Sequence, residues 1–215
     1  MSTSTSPSLL LRIRNSDDTG AWQEFVDLYS PIVRGYCFQR ELQHSDTDDI
    51  VQDVFAGVST AIRQFEYDPS KGKFRSWFGT IVANRIRNHL ARQSIRQVQS
   101  IDQQQHFDSE IRVGPTPQRY SDPDSAWVEL FSERVFRVAC SRIRMEFSDV
   151  QWNCFEATWV RAENASDVAK AMRIPIHQIY VNKSRVLKRL EAEVRLLAEE
   201  LPLSDSLVND EEHSI

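Results

Sequence analysis

Apolar residues recur at three- and four-residue spacing along most of the chain, the period of one helix face. Trp22, Phe25, Val26, Tyr29, Ile32, Val33 and Tyr36 predict a first helix. Ile50, Val51, Val54, Phe55, Val58, Ile62 and Phe65 predict a second, with Ser45 and Asp46 as its N-cap region. Asp68, Pro69, Ser70 and Gly72 mark a loop over 66–73. A long helix then runs from Phe74 to about Ser94, spanning ~30 Å at 1.5 Å per residue. The pattern lapses over 97–121, where Gln103, Gln104, Gln105, Gly114, Pro115 and Pro117 read as a linker. It resumes with Trp127, Leu130, Phe131, Val135, Val138, Ala139 and Ile143. Another helix begins near Ser148 and carries Val150, Cys154, Phe155 and Trp159. A short helix over 166–172, N-capped by Ser166, precedes a long one from Pro175 or Ile176 to about 199. The expected fold is all-α: two helical domains, 9–96 and 122–199, joined by the flexible linker 97–121. Residues 200–215, with Asp205, Asp210, Glu211 and Glu212 and no Lys or Arg, read as a disordered acidic tail.

Composition narrows the classes. Six glycines and eight prolines in 215 residues argue against a sandwich or barrel with many tight turns. No window approaches the ~18 apolar residues of a membrane span, and the N-terminal apolar run is too short for a signal peptide. A cytoplasmic protein without membrane insertion is expected. Cys37, Cys140 and Cys154 are odd in number and lack CxxC spacing, which fits buried free thiols in a reducing compartment. No Gly-rich phosphate loop, nucleophile elbow or zinc spacing appears, and the five histidines are scattered. Asp46, Asp48, Asp49 and Asp53 could be imagined as nuclease metal ligands, but they share one helical stretch and only His44 lies near. The expectation is no enzyme, no cofactor and no metal.

Charge adds two candidate surfaces. Between Asp68 and Asp102 there is no acidic residue, yet there are Lys71, Lys73, Arg75, Arg85, Arg87, Arg92 and Arg96, in a chain of net charge -5. Phe74, Trp77 and Phe78 lie among them. Cations with interleaved rings suit an unpaired nucleic-acid strand, phosphates meeting the cations and bases meeting the rings; a solvated basic helix is the bland alternative. Residues 166–190 carry a helix-turn-helix pattern. Val168, Ala169 and Met172 face inward, and Arg173-Ile174-Pro175 makes the turn. Ile179, Val186, Leu187 and Leu190 share one side of the next helix. His177, Gln178, Val181, Ser184, Arg185 and Lys188 share the other, the side from which a helix reads a major groove. Arg173 stands where such turns usually have glycine, so the turn either differs or holds a less favourable conformation.

The stretch DTDDIVQDVFAGVSTAIRQFEYDPSKGKFRSWFGTIVANRIRNHLARQ resembles region 2 of bacterial RNA polymerase sigma factors, and DVAKAMRIPIHQIYVNKSRVLKRL resembles their region 4. Two such domains with only a short linker between them resemble the extracytoplasmic-function group of the sigma-70 family. The resemblance implies a factor that docks on core RNA polymerase and directs promoter-specific initiation. Asp46, Asp48, Asp49, Gln52 and Asp53 correspond to the surface that meets the clamp coiled coil of the largest subunit. Asp49, Gln52 and Asp53 share neighbouring faces of a helix. An acid-rich first turn favoured by the helix dipole is the bland alternative. Lys73, Arg75, Trp77, Asn84, Arg85, Asn88 and Arg92 correspond to the part that captures the unpaired −10 strand. His177, Gln178, Val181, Asn182, Ser184, Arg185, Lys188 and Arg189 correspond to the −35 duplex reader. The resemblance also implies the polymerase flap as a contact, and it allows an anti-sigma factor as a partner. Thr80 and Ile81 stand where housekeeping members have two tryptophans, which implies weaker strand opening and fits the extracytoplasmic-function group.

Phe74, Trp77 and Ile81 fall in the helical sector of Asn84, Arg85, Asn88 and Arg92, while Val82, Ile86 and Leu90 point elsewhere and are core candidates. Stacking of ~1–3 kcal/mol per captured base is comparable with the ~1.4 kcal/mol lost per opened step, so trapping needs no fuel. Elements ~17 base pairs apart lie roughly 58 Å apart. A linker of about 25 residues reaches ~80 Å extended but averages only ~25–30 Å as a coil. It spans the gap without fixing it, so polymerase must set the distance. A rival reading is a self-sufficient helix-turn-helix regulator, in which the long last helix with Leu190, Val194 and Leu197 would pair with a partner.

Overall fold

The computed structural model describes residues 8–15, 17–64, 73–99 and 122–198. The expected 66–73 loop (except Lys73), most of the expected linker and the acidic tail lie outside the described residues. The protein is all-α: the elements among the described residues are helices. They are α1 (Leu9–Arg12), α2 (Thr19–Phe38), α3 (His44–Ala61), α4 (Phe74–Gln99), α5 (Ser125–Ile143), α6 (Asp149–Phe155), α7 (Ala165–Met172) and α8 (Ile176–Ala198). Short 3-10 turns follow α3 and α5, and a π-helical turn, Glu156–Val160, continues α6. The described residues divide into two compact units, one within 9–134 and the other within 135–198.

In the first unit, Asp18 starts α2 by accepting the Ala21 amide at 2.8 Å. That amide and the Arg12 guanidinium hold the Asp18 carboxyl below its ordinary pKa. The apolar faces predicted for α2 and α3 are buried: Phe25, Tyr29, Ile32, Val33 and Tyr36 meet Ile50, Val54, Phe55 and Val58. Phe74, Phe78, Val82 and Ile86 of α4 complete the core. Each large apolar side chain so buried contributes roughly 1.5–3 kcal/mol. Two details depart from the sequence reading. The N-cap position of α3 is Gln43, which makes no side-chain cap bond. Leu90 is 41% exposed rather than in the core.

The first half of α5 packs within the first unit. Trp127 and Phe131 are fully buried, Trp127 lying 5.2 Å from Tyr36 and 5.5 Å from Phe78, and Phe131 lying 5.6 Å from Tyr29. The attachment exploits a flaw in α2. Pro31 has no N–H, so the carbonyl of Asp27 loses its helical donor. Arg134 supplies one from Nη2 at 2.9 Å, and its Nε donates to the Leu28 carbonyl at 3.2 Å.

In the second unit, Val135, Ala139 and Ile143 of α5, Cys154 and Phe155 of α6, and Ile179, Val186, Leu190 and Val194 of α8 are buried. A capping box starts α6, Ser148 Oγ accepting from the Gln151 amide while Gln151 accepts from the Ser148 amide. The helix α7 is capped by Asn164, which accepts from the Ser166 amide at 2.9 Å, so Ser166 lies inside the helix and is not its cap. The three cysteines are free thiols. Burial pushes the Cys37 and Cys140 thiols up to about 11.

Candidate nucleic-acid interface

The acidic residues of α3 sort into two kinds. Asp46 is half-buried and 3.3 Å from His89 Nε2 on α4. Asp48 pairs with Arg34 of α2. Asp49, Gln52 and Asp53 are exposed, and among the described residues no ion pair engages either carboxylate. Their i, i+3, i+4 spacing places two carboxylates and an amide on one open face. Thr47, fully buried on the opposite side, has a hydroxyl oxygen without a hydrogen-bond partner among the described residues.

Along α4 the predicted strand-capturing residues separate. Asn84, Asn88 and Arg92 are exposed and form one ridge at four-residue intervals, with Arg87 Nη1 donating to Asn84 Oδ1 at 2.8 Å. That ridge presents two amides and a guanidinium to solvent. Arg85 is half-buried and lies over α3: a methyl group at Gly57 would stand 2.7 Å from its Nη2. Lys73 is half-buried at the start of α4, its carbonyl accepting from the Ser76 and Trp77 amides at 3.1 Å. Trp77 is only 5% exposed and packs 5.5 Å from Phe74, so its ring is not presented to a base. Arg75 is 8% exposed and grips Asp122 with Nε at 2.9 Å and Nη2 at 2.8 Å. The geometry differs from the expectation for Arg75, Trp77 and Arg85, because Asp122 and Trp127 cover the start of α4 and Arg85 lies against Gly57 of α3, while Asn84, Asn88 and Arg92 have no such cover among the described residues.

Around α7 and α8 the sequence forces an unusual turn. Arg173 takes φ 55 and ψ 42, the left-handed conformation that its non-glycine identity makes costly. The Ile174 amide donates back to the Ala169 carbonyl at 3.1 Å and the Arg173 amide to Lys170 at 3.3 Å, closing the C-terminus of α7 in a Schellman arrangement. Ile174 packs against the buried cluster of Cys154, Ala157, Val168, Ala169 and Ile179, which joins α6, α7 and α8. On α8, His177, Gln178, Val181, Ser184, Arg185 and Lys188 are exposed. Asn182 turns inward, its amide 3.6 Å from Cys154 Sγ. Arg189 grips Glu146 with Nε and Nη2, both at 2.8 Å, and Glu193 with Nη1 at 3.0 Å. The Glu146 bonds raise its pKa. Arg189 thus fastens α8 to the 3-10 turn Arg144–Glu146, whereas the resemblance had grouped it with the −35 duplex reader.

Residues 25–95 match the family model of Sigma-70 region 2. The matched span contains both the open acidic face of α3 and the polar ridge of α4. The match supports a role in promoter-directed transcription, with core RNA polymerase and promoter DNA as partners. No curated protein matched the chain. Among the described residues no group of three or more His, Cys, Asp or Glu side chains is placed to hold a metal ion. No helix among them is long and apolar enough to cross a membrane.

Sequence reasoning missed Asp122, Asp124 and Arg134. Asp122 also accepts from Ser76 Oγ at 3.1 Å. Asp124 accepts from the Trp127 amide at 3.0 Å, from Tyr36 Oη at 2.9 Å, and from Arg40. Burial raises the pKa of Asp124, but these donors outweigh it and hold the carboxyl below its ordinary value. Burial and the Asp124 bond push the Tyr36 phenol up to about 12. The available signal was Pro31 inside an otherwise periodic helix, since it announces a carbonyl in need of a donor.

Proposed function

We propose that this chain is a sigma factor of the extracytoplasmic-function type. It docks on core RNA polymerase through the open Asp49, Gln52 and Asp53 face of α3, whose carboxylates suit a basic, Arg-bearing helix pair. The Asn84, Asn88 and Arg92 ridge of α4 holds the melted −10 strand. Binding the open form alone shifts the duplex equilibrium toward it, with no covalent chemistry. His177, Gln178, Val181, Ser184, Arg185 and Lys188 on α8 read the −35 duplex, with Arg185 suited to a guanine edge. The observation that supports this reading is the region 2 match over 25–95, a span that includes α3 and most of α4.

The test is transcription in vitro with core polymerase and a promoter library. The expected result is initiation that depends on the chain, with weak binding to duplex DNA alone, since the net charge is -5. Tight, sequence-specific duplex binding without polymerase, and no initiation with it, would establish a self-sufficient regulator instead.

A further inference from the structure

We propose that Val181 selects thymine at one position of the −35 duplex by meeting the base's C5-methyl group in the major groove, a specificity that rests on α8 being the −35 reader. Three large apolar side chains of α8 are open to solvent: Ile176 at 45%, Tyr180 at 51% and Val181 at 45%. At about 100° per residue they do not share one place on the helix. Ile176 is its first residue, and Tyr180 lies one turn on along the same edge, with Lys183 Nζ 5.6 Å from its ring centroid. Val181 instead stands opposite the buried stripe of Ile179, Val186 and Leu190. Its neighbours one turn away, His177 and Gln178 before it and Ser184 and Arg185 after it, are polar and exposed. A branched apolar residue therefore occupies the centre of an otherwise polar reading face.

Helix formation does not favour valine there. Its branched side chain loses rotamer freedom in a helix, and at this exposure it gains little from the core of its own unit. A duplex supplies the missing partner. Base pairs present donors and acceptors in the major groove, together with one apolar substituent, the C5-methyl of thymine. Valine seated over a donor or acceptor would strip water from a polar group and return no hydrogen bond. Over a thymine methyl no bond is lost, and two apolar groups leave water together, worth about four-fold in affinity for one methyl group. His177, Gln178, Ser184 and Arg185 can bond the neighbouring base edges and set the register in which Val181 meets that methyl.

The test removes the methyl group alone. Promoters selected from a library by the chain with core polymerase are remade with deoxyuridine in place of each −35 thymine in turn, which keeps every hydrogen-bonding atom. Wild type is expected to lose about four-fold in promoter affinity at one position and to be unaffected at the others. At that position 5-methylcytosine should be favoured over cytosine by a similar factor. Val181→Ala should bring both ratios to one with its helical circular dichroism intact, since the site is exposed and alanine favours a helix. Tyr180→Ala should keep both ratios. Equal affinity for thymine and deoxyuridine at every −35 position overturns the proposal. So does a methyl effect that survives Val181→Ala, or one that Tyr180→Ala removes. If the chain supports no initiation with polymerase, the functional reading fails by itself. The same ratios in duplex binding by the chain alone then decide the methyl contact, and the absence of a methyl-dependent difference there overturns it as well.

Discussion

Arg173→Gly should stabilise the second unit. Arg173 is exposed, and its backbone sits at φ 55 and ψ 42. A side chain in that conformation costs roughly 1–2 kcal/mol, because Cβ crowds the following carbonyl. Glycine removes the crowding and loses about 0.5–1 kcal/mol through its greater unfolded-state freedom. The net gain should be about 0.5–1 kcal/mol, while the Ile174 to Ala169 bond at 3.1 Å stays in place. Native-state hydrogen exchange of α7 and the first turns of α8 reads this locally as a slowing of about two- to five-fold. Arg173→Ala is the control. It keeps Cβ and should change nothing. Faster exchange in the glycine variant, or equal slowing in both variants, would refute the argument from backbone strain.

Gly79→Ala should destabilise the first unit by roughly 1–3 kcal/mol, although helix propensity alone favours alanine, because the new methyl would meet Trp127 Nε1 at 2.5 Å and Pro123 Cδ at 2.7 Å; urea unfolding checks the sign. Asp49→Arg should abolish binding to core polymerase in a pull-down while leaving the helical circular dichroism intact. Arg185→Ala should relax −35 selectivity at one position and cost ~1–3 kcal/mol, measured over a set of promoter variants. Lys188→Ala should lower the salt slope of promoter binding by about one, whereas Arg189→Ala should leave the slope alone and cost stability of roughly 1–3 kcal/mol, because Glu193 is 6% exposed and loses a cation.

Much of the fold was legible because its signals are local. The helical periods of α2 and α3 correctly named Phe25, Tyr29, Ile50 and Val54 as core. At Arg173 the sequence left two outcomes open, a different turn or a less favourable backbone, and the structure has the second, with φ 55. On α4 the pattern was ambiguous: the sector holding Trp77 and Asn84 reads as one stripe, yet Trp77 is buried and Asn84 exposed. A helix pattern gives the sides of a cylinder, and the length over which a neighbour covers one side is set elsewhere in the chain. Arg189 shows the same limit, because its partner Glu146 lies 43 positions away.

The amino-acid order alone therefore determined the helices, the acidic face of α3 and the polar face of α8, since each depends on residues three or four positions apart. Only the tertiary structure decided that residues 122–134 join the first unit, that Arg75 and Arg189 face carboxylates, and that Arg134 completes the α2 hydrogen bonds broken at Pro31. Those pairings join residues far apart along the chain, and their selection depends on which groups folding leaves unsatisfied.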